Sequence, residues 1–142
     1  IAMKPDPAAL FKVQNMLLKI DSNLQKADEN TFTLRYGSAR AFIWVNTEDD
    51  ASFVTIEIPV LRDLKLTPDL LKFVAFDNSY ALGHLYLEDL NGSLVMEFRH
   101  TLMVKNLTAE TLTWTAIGML KSADSDGPAL KKRFGGQLSH EG

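Results

Sequence analysis

The chain has 142 residues, 46% of them apolar and 23% charged, with a formal net charge of −3, a balance that suits one globular domain with a sizeable core. Its 15 basic residues are scattered rather than striped, which argues against a dedicated nucleic-acid binder, because phosphate backbones demand a basic footprint. Cysteine is absent, which removes disulfides and thiolate chemistry, and no apolar run reaches the ~18 residues of a membrane-spanning helix.

Ile1-Ala2-Met3-Lys4 carries no apolar core of a signal peptide, Met3 reads as the native start, and the cytoplasm is the expected compartment. Pro5 and Pro7 stand where proline tolerates a helix start. Leu10, Val13, Leu17, Ile20 and Leu24 then recur at three- and four-residue spacing, with Phe11 and Leu18 widening the stripe. That pattern predicts an amphipathic helix from about Asp6 to Lys26, ended by Ala27-Asp28-Glu29-Asn30.

A strand meander follows. A two-residue turn at Gly37-Ser38 puts Phe32 opposite Ile43 and Leu34 opposite Ala41. A second turn at Asp49-Asp50 puts Ile43 opposite Ile56, Val45 opposite Val54 and Ala41 opposite Ile58. Both turns bury the same face. Since a one-residue slip would flip every side chain, their agreement specifies the register.

Leu66-Thr67-Pro68 offers a helix start with an apolar residue before a threonine cap, proline at the first helical position and Leu71 as the staple. Leu107-Thr108, with Leu112, repeats the device. Between them Asn91-Gly92 turns a hairpin that pairs Leu87 with Met96 and Leu85 with Phe98. The last helix is expected from about Ala109 to Ala123, broken by Gly127-Pro128, with a helical turn at Ala129–Phe134 and a mobile tail beyond Gly136. The expected fold is an α+β domain of order α-β-β-β-α-β-β-α over residues 1–136, five antiparallel strands with helices mainly on one face, and a flexible tail at 137–142.

This order resembles the YbjN family, which shares its fold with type III secretion chaperones. The likeness is strongest from Phe73 to Gly136, in Asp77-Asn78-Ser79, Gly83, Asn91-Gly92, Leu107-Thr108-Ala109-Glu110-Thr111-Leu112 and Arg133-Phe134-Gly135-Gly136. The N-terminal half is similar in element order only. The resemblance implies a non-enzymatic protein that binds peptide segments of a client, and a homodimer; a dimeric regulatory or adaptor protein without peptide binding is the alternative. It supplies no catalytic residues and no cofactor.

The residues agree on chemistry. His84 and His100 fall on adjacent strands but opposite faces, and His140 lies in the tail, so no metal-ligand spacing arises. Glu48-Asp49-Asp50 lacks the alternation and glycine of a calcium loop and reads as a solvated hairpin tip. There is no nucleophile elbow and no glycine-rich phosphate loop. Glu88 and Glu97 are offset by two residues across the hairpin with Tyr86 opposite Glu97, which reads as surface hydrogen bonding. Arg35 and Arg40 face each other, mildly unfavourable and relieved by splaying into water or by an acidic partner.

The second sheet face carries more information. It displays Phe42, Trp44 and Phe53, then Val95 and Met103, among Thr33, Thr55, Glu57, Glu97 and Arg99. Large aromatics interrupt the polar alternation of a solvated sheet face, so Phe42, Trp44 and Phe53 are candidates for client binding or dimerisation, with Phe11 on the first helix assisting. A loop, the first helix or the tail covering them within the monomer is the competing reading.

Overall fold

The structure, a computed structural model, describes residues 4–141. The expected start at Met3 and the final tail residue Gly142 lie outside the described residues.

Helix α1 (Pro7–Ile20) opens on Asp6, whose carboxylate accepts the Ala9 amide at 3.1 Å, and it buries Ala9, Val13 and Leu17. It ends earlier than the stripe predicted. Asp21 is extended, and its carboxylate accepts the Asn23 amide at 2.9 Å, an Asx-type turn that competes with helix. Leu24 still packs against the core, approaching from the loop. The chain then forms strand β1 (Gln25–Asp28), an exposed edge with charged side chains, composition that discourages pairing with other chains.

Strands β2 (Thr31–Tyr36), β3 (Ala39–Glu48) and β4 (Ala51–Leu64) follow, in the expected registers: Phe32 opposite Ile43, Leu34 opposite Ala41, Ile43 opposite Ile56 and Val45 opposite Val54. Helix α2 (Pro68–Phe76) is capped by Thr67, whose hydroxyl accepts the Leu70 amide at 3.2 Å. Strands β5 (His84–Leu90) and β6 (Ser93–Met103) form the Asn91-Gly92 hairpin, with Asn91 and Gly92 both at positive φ.

Helix α3 (Ala109–Phe134) runs straight through Gly127-Pro128 where a break was expected. Proline there removes one backbone donor and crowds the preceding turn, a cost of about 3 kcal/mol. Contacts on both sides of Pro128 hold the helix. Asp124 accepts from the Ser38 hydroxyl at 2.7 Å, Tyr80 donates to Asp126 at 3.1 Å, Leu130 is buried, and Phe134 packs on Phe73 with ring centroids 5.1 Å apart. The tail expected to be mobile is instead docked: strand β7 (Gln137–Leu138) pairs with Leu61 and Arg62 of β4, and Glu141 forms an ion pair with Lys131 at 2.8 Å.

The sheet therefore has seven strands rather than five, ordered β1-β2-β3-β4-β6-β5 with β7 against the end of β4, in the element order α-β-β-β-β-α-β-β-α-β. The two strands missed are short and carry no buried side chain, so neither leaves an apolar alternation to read. Val13 and Leu17 of α1 and Leu112, Ala116, Met119 and Leu120 of α3 form one core with Phe32, Ile43, Ile56 and Phe98 of the sheet. The chain is a two-layer α+β domain. No helix among the described residues is long and apolar enough to cross a membrane.

Candidate functional site

With α1 and α3 on one face, the opposite face of β3, β4 and β6 carries Phe42, Trp44, Phe53, Glu57, Glu97 and Arg99. Phe42 and Trp44 are half-buried and lie beside threonines: Thr33 is opposite Phe42, and Thr31 and Thr55 flank Trp44. All three threonines are buried. Arg40 stands over the Phe42 ring at 4.8 Å and Arg99 over Trp44 at 5.6 Å, within cation–π range.

The rim of this face is more open. Met103, opposite Phe53, is 54% exposed, and Leu90 is 46% exposed. Between Leu90 and Trp44 runs a groove of about 480 Å³, walled by Phe42, Trp44, Pro59, Leu90 and Val95. It adjoins a second cavity of about 340 Å³ that shares Phe42, Pro59 and Ser139 and is lined by Arg35, Arg40 and His140. The β7 segment that contributes Ser139 thus borders the groove and leaves Trp44 uncovered.

Phe42 and Trp44 are brought together in this groove, while Phe53 sits further along the same face, beyond it. Phe11 is not on this face. It is 64% exposed on α1, whose buried residues point into the opposite layer. Other exposed apolar side chains are Leu66 and Leu71, the expected staple pair of α2, with Phe76 at its end and Trp114 on α3.

The chemistry of the groove lies in a cluster whose residues were read as ordinary surface. Glu57 accepts from the Tyr86 hydroxyl at 2.9 Å and from Arg99 Nε at 2.9 Å, with Arg99 also its ion-pair partner. Glu97, opposite both Tyr86 and Pro59, is only 3% exposed. Burial is the larger reason its carboxyl is pushed up to about 9, reinforced by hydrogen bonding and charge from Glu57 and Glu88. Glu97 therefore carries its proton at neutral pH. Burial also works to raise Glu57, but hydrogen bonds from Glu97, Arg99 and Tyr86 outweigh it and hold that carboxyl below its usual range. Burial and the Glu57 acceptor raise the Tyr86 phenol well above its ordinary value. One carboxylate and one neutral acid share this site, as expected for crowded carboxyl groups. Register alone showed Glu88, Glu97 and Tyr86 as neighbours; their burial depended on Glu57 and Pro59 from a strand distant in sequence.

Elsewhere, chemistry is sparse. His100 accepts the Gly83 amide at 3.0 Å through Nδ1, and burial, with His84 nearby, lowers its pKa. No group of side chains among the described residues is arranged to hold a metal ion.

No curated protein matches the chain. A family model does: TY-Chap1, described as T3SS (YopN, CesT) and YbjN peptide-binding chaperone 1, matches residues 12–142. The match covers almost the whole chain, including β7, and the protein belongs to this family of YbjN and type III secretion chaperones.

Proposed function

We propose that the protein is a non-enzymatic, chaperone-like module of the cytoplasm that holds a client peptide segment on the open face of its sheet, with Phe42 and Trp44 as the anchors and Phe53 extending the contact. The observation that carries this reading is the aromatic-walled groove on a sheet face that no helix covers. Grooves of this kind take up side chains of an extended segment. The family's description as peptide-binding chaperones supports the same activity. Clustered aromatics at the centre of a concave patch are the residues that dominate binding energy.

The test is Trp44→Glu, followed by light scattering and by peptide-array binding of the purified chain. Loss of peptide capture by a folded variant supports the client surface. A dimer that becomes a folded monomer while peptide capture persists would assign the face to self-association, and the protein would then be a homodimer holding its client elsewhere. Unchanged mass together with unchanged capture would remove Phe42 and Trp44 from the site.

A further inference from the structure

We propose that the acid-lined part of the groove is a subsite for a cationic side chain of the client, a lysine or arginine whose aliphatic stem lies against Trp44 and Pro59 and whose head meets Glu97 and Glu88. The inference rests on the open face being the client surface and names the chemistry that this surface selects.

Three observations converge. Glu97 is 3% exposed and lines the groove, yet no N–H or hydroxyl group donates to its Oε1; the hydrogen bonding of this carboxyl is with the acids Glu57 and Glu88. Buried polar atoms are nearly always paired, so an orphaned carboxyl oxygen at a groove wall is an acceptor awaiting a donor. The second observation is charge. Of the two arginines in the groove, Arg99 is committed to Glu57, and Arg62 is committed to Gln137, the Glu141 carbonyl and Asp63. Among the described residues Glu88 and Glu97 have no basic partner. With Glu97 protonated, the acid of the groove left without a basic partner is Glu88, beside Glu97 across the hairpin. The third is shape. Apolar walls next to the acids suit a side chain with a long apolar stem and a charged tip, the form in which lysine and arginine bury most of their length.

A cation arriving at this site favours the ionised form of Glu97, whose proton then leaves to solvent. The groups facing Glu97 are Glu57 and Arg62 from β4, His84, Tyr86 and Glu88 from β5, and Arg99 on its own strand. Binding is accordingly coupled to proton release, and preference for the cation grows as pH rises toward the alkaline side.

The experiment is an amide ¹H–¹⁵N NMR titration of the full chain with Nα-acetyl-lysine methylamide and with its norleucine analogue, at mildly acid and mildly alkaline pH. The lysine probe is expected to shift the amides of Glu88 and of the Val95–Arg99 stretch, to bind at least about fivefold tighter than norleucine, and to widen that margin at the higher pH. Glu97→Gln, which copies the neutral acid in size and hydrogen bonding, is expected to narrow the margin, and Glu88→Gln with it to abolish the preference. Equal affinity for the two probes in the wild-type chain, or shifts confined to another face, would overturn the subsite, and this comparison needs no variant to fold. Peptides that bind the open face without any preference for lysine would overturn the subsite while leaving the peptide-binding reading intact. Lysine-selective shifts at Glu88 and Glu97 in a chain that captures no longer peptide would support the subsite and count against that reading.

Discussion

The Tyr86 hydroxyl donates to the Glu57 carboxylate at 2.9 Å, and in doing so β5 reaches β4 across the intervening strand β6. The bond passes over β6 between Arg99 and Glu97, the first paired with Glu57 and the second opposite Tyr86. This strap explains how an acid on an uncovered sheet face comes to be buried. Phenol, carboxylate and guanidinium from three strands crowd around Glu97.

Removing the hydroxyl tests the strap. Tyr86→Phe is expected to cost about 1.5–3 kcal/mol, the range for a hydrogen bond to a charged acceptor. It is also expected to raise the Glu57 pKa, since one of the bonds that favours its ionised form disappears. Urea denaturation reads the first effect and a carboxyl ¹³C titration the second; an unchanged Glu57 titration would show that the phenol does not stabilise the charge.

Glu97 makes stability depend on pH, with a definite sign. Its folded pKa is pushed up to about 9 from a reference of 4.5. Between those values the folded state holds a proton that the unfolded state has lost, so the contribution is complete below the lower value and lost as pH rises through the upper one. The slope in that window reaches at most about 1.4 kcal/mol per pH unit. Glu57 acts oppositely: its lowered pKa contributes stability that is lost on acidification. Denaturation midpoints are therefore expected to fall between pH 6 and 9 in the wild-type chain and to flatten in Glu97→Gln; parallel curves would disprove the linkage.

Gly136 anchors the final strand. Its φ is +73°, and a Cβ there would stand 2.5 Å from the Arg62 carbonyl oxygen, a backbone atom that cannot swing away. Gly136→Ala is expected to cost about 2 kcal/mol or more through strain and loss of β7 pairing. Hydrogen exchange should show faster exchange at Ser139, whose amide bonds the Val60 carbonyl at 3.1 Å, with α3 protected as before up to the cost in global stability.

Tryptophan supplies an internal control for the client surface. Trp114 on α3 is 71% exposed, far more than Trp44, yet stands on the helical layer away from the groove. Trp44→Glu is expected to weaken peptide capture at least tenfold, and Trp114→Glu to leave it within twofold, in fluorescence-polarisation titrations. The reverse pattern would move the site to the helices.

What the sequence determined by itself were features written in short-range chemistry. Gly37-Ser38, Asp49-Asp50 and Asn91-Gly92 turn the chain within two residues, so the hairpin registers and the shared buried face follow directly from alternation. Thr67 and Thr108 cap their helices through bonds three residues away, equally local. The presence of Phe42, Trp44 and Phe53 on a single face came from the same registers. Tertiary structure decided the rest. Gly127-Pro128 breaks helices by propensity, but Ser38, Tyr80 and Phe73, all distant in sequence, hold α3 together on both sides of it. The polar tail has no strand pattern, and becomes β7 because Leu61 and Arg62 offer it a ladder. Glu97 reads as a surface acid until Glu57, Pro59 and Tyr86 enclose it. A side chain's dielectric surroundings are set by whichever strands lie beside it, and β4 lies beside β6 although helix α2 and strand β5 separate them in sequence.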